Sequence, residues 1–460
     1  MTIRILTYAA LVAFVALAVR WLGWSGTQIL ATSVFAGFII GTLLFWKFRL
    51  AFALAGTTAL LATGVLDIPH LIEFASLDVI LFLVAMMIVI GFMEERRFFE
   101  VVMEKALGYL DRRAALLLTA LMVLAAVSAA LVDEVTSILF MSAVTLQITR
   151  RFRLNPVPFL IMVVFATNIG SSATVVGNPI GVMIALRGGL TFSDFLRWAS
   201  PIALLALVVA VPLSLRWFRA EVRSLDDALQ AQRPQEHAVD VERIKPVDLL
   251  VCSLLFLGTV GGLILHAPLE GWLGLPKNTM LLGVSCGGAA LALFIQREGA
   301  RELVERRVDW WTLTFFLLLF ASAGTLRYVG VTRQIAEGVT ALTAGREGWL
   351  LLGLTWGSGV LSAVMDNVLA VATLIPVLED LEALGVFTRP LWWGLLFGGT
   401  FFGNLTMIGS TANIVALGIL ERDEGIHVRF GQWLGPGAVV AIPTLLLATL
   451  ALYLQLSWMR

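Results

Sequence analysis

Charge is the first thing this sequence is short of: Asp, Glu, Lys and Arg make up 14% of its 460 residues, against roughly 25% in soluble domains. The 32 basic and 32 acidic residues balance, so nothing points to nucleic acid or a strongly acidic partner. Cysteine is nearly missing too. Cys252 and Cys286 both lie inside apolar runs, which argues against a disulfide framework or a thiolate metal site and leaves them as small packed hydrophobes. His70, His237, His266 and His427 fall in loops or at span ends without metal-ligand spacing. No glycine-rich phosphate cradle occurs in the polar segments, so energy from ATP would need a separate subunit.

What the sequence has instead is apolar length. Hydrophobic residues are 59% of the chain, and runs of about 17–20 recur, each enough to cross a hydrocarbon core of about 30 Å. The expected crossings are 5–22, 28–46, 50–66, 77–93, 157–186, 201–218, 249–266, 279–295, 310–326, 391–420 and 438–456. The first is read as a retained span, because Arg20 interrupts it and no clear small-residue cleavage site follows. Segments 114–149 and 349–381 read as helical hairpins with polar tips. Segments 98–110 and 328–342 mix apolar and charged residues and suit helices lying in the interface. Trp21, Trp46, Trp198, Trp217, Trp310, Trp392 and Trp458 sit near proposed ends, where indoles anchor at headgroup level.

Most of the 32 Lys and Arg fall on one side of this arrangement. The bias toward positive cytoplasmic loops then puts the N-terminus in the cytoplasm and the C-terminus outside, in a plasma membrane.

The chain also repeats itself. "DEVTSILFMSAVTLQI" from Asp133 aligns with "DNVLAVATLIPVLEDL" from Asp366, and Gly91 with Gly324, at one shared spacing. "TVVGNPIGVMIALRGGLTF" from Thr174 matches "TMIGSTANIVALGILERDEGIHVRF" from Thr406 at nearly the same spacing. A near-constant offset over about a hundred positions argues for two homologous halves. An odd number of crossings separates the hairpins, so the halves are inverted, a signature of secondary transporters. The expected organisation is an N-terminal span at 1–27, a first repeat at 28–218 and a solvated cytoplasmic linker at 219–247. A second repeat follows at 248–460. The fold class is an all-α polytopic membrane protein with about eleven transmembrane helices, two re-entrant hairpins and two broken helices.

The breaks carry the functional argument. "TNIGSSATVVGNPIG" from Thr167 to Gly181 interrupts an apolar run, and "GNLTMIGSTAN" from Gly403 to Asn413 does the same in the second half. Lipid cannot hydrogen-bond to unwound backbone, so such a break survives only against protein or a polar cavity. Freed carbonyls can hold a cation, and freed amides at the next helix start favour an anion. The hairpin tips add Asp133, Glu134, Asp366 and Asn367. Carboxylates at membrane depth are functional candidates by default, as sodium ligands or proton carriers.

Plainer readings compete. Ser171, Ser172, Thr174, Thr406 and Ser410 also suit simple interhelical hydrogen bonds. The tip carboxylates would reach the membrane surface if each hairpin crossed and returned, and the arms are long enough for that. Two membrane aspartates also suit an aspartyl protease sharing one proton, but no Tyr-Asp or Gly-x-Gly-Asp context surrounds either. A channel would show currents far above carrier turnover.

"LVDEVTS", "VMDNVLAVATLIP", "ATNIGSSATVVGNPIGVMIA" and "GNLTMIGSTANIVALG" resemble the ion transporter superfamily. It includes arsenite permeases, one class of sodium–proton antiporters, the melanosomal P-protein and citrate or dicarboxylate–sodium carriers. Glu134 stands where the permease and P-protein branch typically has Asn, and Gly181 where it has a second Asn. The Ser-Asn-Thr tips of the dicarboxylate branch are absent. The resemblance implies a homodimer, a transport domain moving as an elevator against a scaffold, and a central two-part site. Its first half would be Asp133, Glu134, Thr136, Asn168, Ser171, Ser172, Thr174 and Asn178. The second would be Asp366, Asn367, Asn404, Thr406, Ser410, Thr411 and Asn413. Asp133, Asn168, Asp366 and Asn404 are the candidate sodium ligands. The expected function is secondary active transport of a small ion, oxyanion or organic anion, coupled to sodium or protons, with no other cofactor. Cation–proton antiport and arsenite-type permeation remain open.

Overall fold

The computed structural model describes residues 2–99, 101, 113–231 and 246–460, and every regular element among them is helical. Helix α1 (Thr2–Trp21) is apolar along its length yet buries only Val19, so it lies at the rim with its surface left for lipid. Helices α2 (Gly26–Leu44) and α3 (Arg49–Ala62) follow. The α3 helix stops short of the expected 50–66 because Gly64 takes a left-handed φ of 71°, which glycine accommodates without strain. Asp67 then caps the short α4 (Ile68–Phe74) through the His70 N–H at 2.8 Å.

Helix α5 (Leu77–Glu95) is central and buried over most of its faces. Its equivalent in the second half is α16 (Trp310–Tyr328). The first hairpin is α6 (Ala114–Leu131) and α7 (Glu134–Phe152), the second α18 (Glu347–Val364) and α19 (Asn367–Ala383). Between the hairpins run α8 (Pro156–Ser171), α9 (Pro179–Arg187), α10 (Ser200–Trp217), α11 (Arg219–Ala231) and α12 (Pro246–Ile264). Then come α13 (His266–Leu273), α14 (Thr279–Gln296) and α15 (Ala300–Arg307). After α16 lie α17 (Val331–Leu342), α20 (Arg389–Phe402), α21 (Thr411–Glu424) and α22 (Phe430–Gln455).

Both expected broken helices are broken. All sixteen residues of α8 are buried, as is nearly all of α20. A helix apolar on every side has protein on every side, so the first halves of the broken helices form the centre of the molecule. Among the described residues eight helices are long and apolar enough to cross a membrane, and the α16–α17 pair, bent by 67°, makes up to nine. The expected count of eleven included α3 and the two broken helices, whose pieces are each shorter than a full crossing, and left out α6, the first arm of the first hairpin, which is one of the eight. The segment expected as an interface helix at 328–342 is α17, bent by 67° from α16.

The linker differs from expectation. Residues 219–231 are not loose chain but the amphipathic helix α11, with Leu225 buried. Asp226 accepts the Ala114 N–H at 3.0 Å, so α11 caps the start of the first hairpin. Residues 232–245 of the linker, and all of the 98–110 segment except residues 98, 99 and 101, lie outside the described residues. Phe99 stacks on Phe140 of α7 at 5.4 Å.

Candidate functional site

Four helix N-termini converge, and each is capped by a residue singled out in the sequence. Asp133 caps α7, accepting from Val135 N at 2.9 Å, Thr136 N at 3.2 Å and Thr136 Oγ1 at 2.8 Å. Asn178 caps α9 through the Gly181 N–H at 2.7 Å, with Pro179 preset at the first helical position. Asp366 caps α19 through Val368 N at 3.0 Å. Ser410 caps α21 through Ala412 N at 3.2 Å. Each start leaves unpaired N–H groups and a partial positive charge, so carboxylates and side-chain oxygens collect there.

Tips and breaks are tied together. The Glu134 N–H donates to the Gly177 carbonyl at 2.9 Å, joining the first tip to the first break. The Glu134 carboxylate is 1% exposed and accepts from Ser171 Oγ at 3.1 Å and, more weakly at 3.4 Å, from Asn367 Nδ2 of the other hairpin. Ser171 in turn accepts from Asn178 Nδ2 at 2.8 Å. Asp366 accepts from Thr411 Oγ1 at 2.6 Å, joining the second tip to the second break.

Asn168 is the hub between halves. Its Nδ2 donates to Asn404 Oδ1 at 2.7 Å and Asn413 Oδ1 at 2.8 Å, and its Oδ1 accepts from Ser410 Oγ at 3.0 Å. Asn413 Nδ2 reaches the freed carbonyls of Gly403 and Thr406 at 2.9 and 2.8 Å, and Asn404 Nδ2 the Phe165 carbonyl at 3.3 Å. Three other candidates face away from this cluster. Thr174 donates to the Ala130 carbonyl, Thr406 to the Ala363 carbonyl at 2.6 Å, and Ser172 to Ile169 at 2.8 Å. They staple each break to its hairpin or its own helix, as the plainer reading expects.

The four candidate sodium ligands have different hydrogen-bond partners. Asn168 and Asn404 bond directly, whereas Asp133 and Asp366 bond to Thr136 and Thr411. Among the described residues no three His, Cys, Asp or Glu side chains converge to hold a metal ion. The hydrogen-bond partners of Asp133, Glu134 and Asp366 are all neutral hydroxyls, amides and backbone N–H groups. Arg49, stacked on the Trp46 and Phe315 rings and bonded to Thr312 at 2.7 Å, reaches Asp366 only by its longer-range field. Three carboxylates so placed carry a desolvation cost that demands a counter-charge. The four helix N-termini supply part of it.

Sequence reading missed two supports. Ser362 donates to the Gly399 and Gly409 carbonyls at 2.7 and 3.1 Å, and Trp433 Nε1 to the Asn404 carbonyl at 3.0 Å. Ser362 lies four residues before Asp366, a proximity that could have flagged it. Trp433 reads locally as an ordinary interface indole.

Helices interrupted inside an apolar bundle, with capped half-helix starts around a buried polar cluster, define a membrane transporter. More narrowly, the chain belongs to the citrate transporter family, whose profile matches residues 35–398. An uncharacterized transporter of Mycobacterium tuberculosis is 34% identical over 82% of this chain and 86% of its own length. The human P protein is 26% identical over 86% of this chain, which spans only 56% of that longer protein. The crystal structure of the Alcanivorax borkumensis YdaH transporter superposes with a TM-score of 0.60, covering 85% of this chain and 87% of that one at 15% identity. That likeness concerns the fold. Family and relatives are transporters, not enzymes, which removes the aspartyl protease reading.

Proposed function

We propose that the protein is a secondary active transporter that moves a small organic anion, with citrate the first candidate, coupled to sodium or protons. One observation carries this reading: both hairpin tips and both helix breaks meet in a single buried polar cluster, through Glu134–Asn367 and Asn168–Asn404. Four helix N-termini favour an anion at such a place. Three carboxylates disfavour one unless cations or protons arrive with it, which is a physical basis for coupling. The tips belong to hairpins that, in an inverted repeat, enter from opposite faces. Their meeting supports re-entrant hairpins, since two full crossings would carry the tips past each other. On this reading the site lies near the midplane, with the N-terminus cytoplasmic and the C-terminus outside the plasma membrane. A homodimer with an elevator-like transport domain accords with the family resemblance.

The test is uptake into proteoliposomes under imposed sodium or proton gradients, comparing citrate, succinate, sulfate, arsenite and sodium. Gradient-driven citrate or succinate accumulation supports the proposal. Sodium flux opposed to protons would favour cation–proton antiport, and arsenite flux a permease. No gradient-driven flux of any of the five would overturn secondary transport of these ions.

A further inference from the structure

On the face where α5 begins and α16 ends, a cavity of about 420 Å³ opens among α5, α9, α16 and α19, with His70, Glu73 and Phe74 of α4 at its edge, and is lined by Val79, Met183, Arg187, Arg327, Ala372 and Glu379, among others. Two of its walls carry the polar cluster: α9 is the second half of the first broken helix, and α19 is the second arm of the second hairpin. The other walls, α5 and α16, contribute no residue to that cluster.

Ion pairs join the two kinds of wall. Arg187 Nη2 of α9 meets Asp78 Oδ1 of α5 at 2.7 Å. Arg327 of α16 meets Glu379 Oε2 of α19 at 2.5 Å and Asp380 Oδ1 at 3.2 Å. Thr332 of α17 adds a hydroxyl to Asp380 at 2.5 Å. Every helix that carries the cluster and borders this cavity is thus clasped to its neighbour by charge.

The internal repeat provides a comparison within one molecule. At the equivalent positions on the opposite face, Asp78 is matched by Trp311, Arg187 by Ile419, Arg327 by Glu94, and Glu379 and Asp380 by Leu146 and Gln147. Ile419 and Leu146 are buried and apolar. Glu94 pairs with Arg307 of α15 at 3.1 Å, away from the first hairpin. At these equivalent positions the described residues hold no matching clasp, and the ion pair near them, Arg150–Glu424 at 2.5 Å, joins α7 to α21 instead.

We propose that Asp78–Arg187 and Arg327–Glu379/Asp380 form a two-point ionic gate, positioning α9 and α19 against α5 and α16 on this face. Opening this face requires breaking these ion pairs. The inference rests on the transport reading above, in which the site-bearing helices move against the rest. Arg187, Arg327 and their partners are positioning residues and do not touch the substrate.

The test needs no substrate. In nanodiscs both faces are open to reagent, so sidedness does not enter. In a Cys252→Ala/Cys286→Ala background, an Ala372→Cys reporter in the cavity wall is titrated with a charged thiol reagent. Arg187→Gln and Arg327→Gln should each speed its labelling by about two- to fivefold, the range expected for a partly exposed pair, and the double variant should multiply the two. Arg-to-Lys replacements at both positions, and the exchange Asp78→Arg/Arg187→Asp, should label near the parental rate, separating lost charge from lost packing. Raising salt should speed labelling at position 372. Parental labelling in the double Gln variant, or labelling at position 372 that does not respond to salt, would overturn the gate. Labelling that follows the expected pattern without gradient-driven flux of any of the five test ions would leave the gate standing and overturn the transport reading instead.

Discussion

Asn367 donates its amide to the Glu134 carboxylate at 3.4 Å, and these two residues occupy the same position in the two halves of the chain, 233 residues apart. A contact between equivalent positions lies on the axis that relates them. On that axis each half contributes one residue, and the sequence has made that pair unequal, an acid facing an amide.

The inequality can be tested by exchange. Asn367→Asp places two carboxylates in contact and should reduce transport more than 100-fold, since like charges in a shared buried site destabilise one another strongly. Glu134→Asn removes the charge and should weaken ion dependence. The exchange Glu134→Asn/Asn367→Glu restores one acid and one amide on the axis. It should recover uptake to within roughly tenfold of the parent, as the coupling of contacting residues requires. An exchange variant no better than either single substitution would rule out the axial pairing.

Asp133 and Asp366 are the N-caps of α7 and α19. Replacement by Asn keeps a capping oxygen and costs the helices only a few tenths of a kcal/mol. Asp133→Asn and Asp366→Asn should therefore insert and fold normally while losing gradient-coupled uptake. Normal gel-filtration behaviour with parental uptake in both would remove the carboxylates from coupling.

Asn168 joins the two breaks through three hydrogen bonds. Each interhelical bond of this kind contributes about 0.6–2 kcal/mol. Asn168→Ala should lower the thermal midpoint in detergent by several degrees and abolish uptake. Asn168→Asp keeps the shape, loses the two donors, and should bind substrate more weakly even where protein is recovered. Thermal melts beside uptake separate the two effects.

Gly177 and Gly409 occupy matching places in the two breaks. A Cβ at Gly177 would collide with the Ser171 carbonyl, and one at Gly409 with the Gly403 carbonyl. Because the obstacle is backbone, it cannot swing aside. Gly177→Ala and Gly409→Ala should each cost about 1–3 kcal/mol through overpacking. Gly258→Ala, where nothing lies within 4 Å, should be neutral. Thermal melts of the three variants check this.

Some of this architecture was written plainly in the chain. Asn178 followed by Pro179, and Asp133 and Asp366 ahead of apolar runs, are local helix-start signals that work through their own next few residues. The breaks at 172–178 and 403–410 followed from Gly, Ser and Asn interrupting apolar length. Helix α11 was harder to see, because its apolar stripe is short and its charges read as solvated linker. The roles of Thr174, Thr406 and Ser172 were not legible, since a hydroxyl in a break suits a ligand and a staple equally well.

The sequence alone determined that this chain lives in a membrane, that it breaks two of its helices, and that its halves repeat. Those properties rest on apolar length, on residues that cannot continue a helix, and on spacing, all read along one dimension. Only the tertiary structure decided that Asn168 serves the opposite half, that Glu134 faces its own counterpart, and that Asp78 and Arg327 clasp one face. Those partners lie between 52 and 245 residues apart, and which polar group finds which is set by how the helices pack.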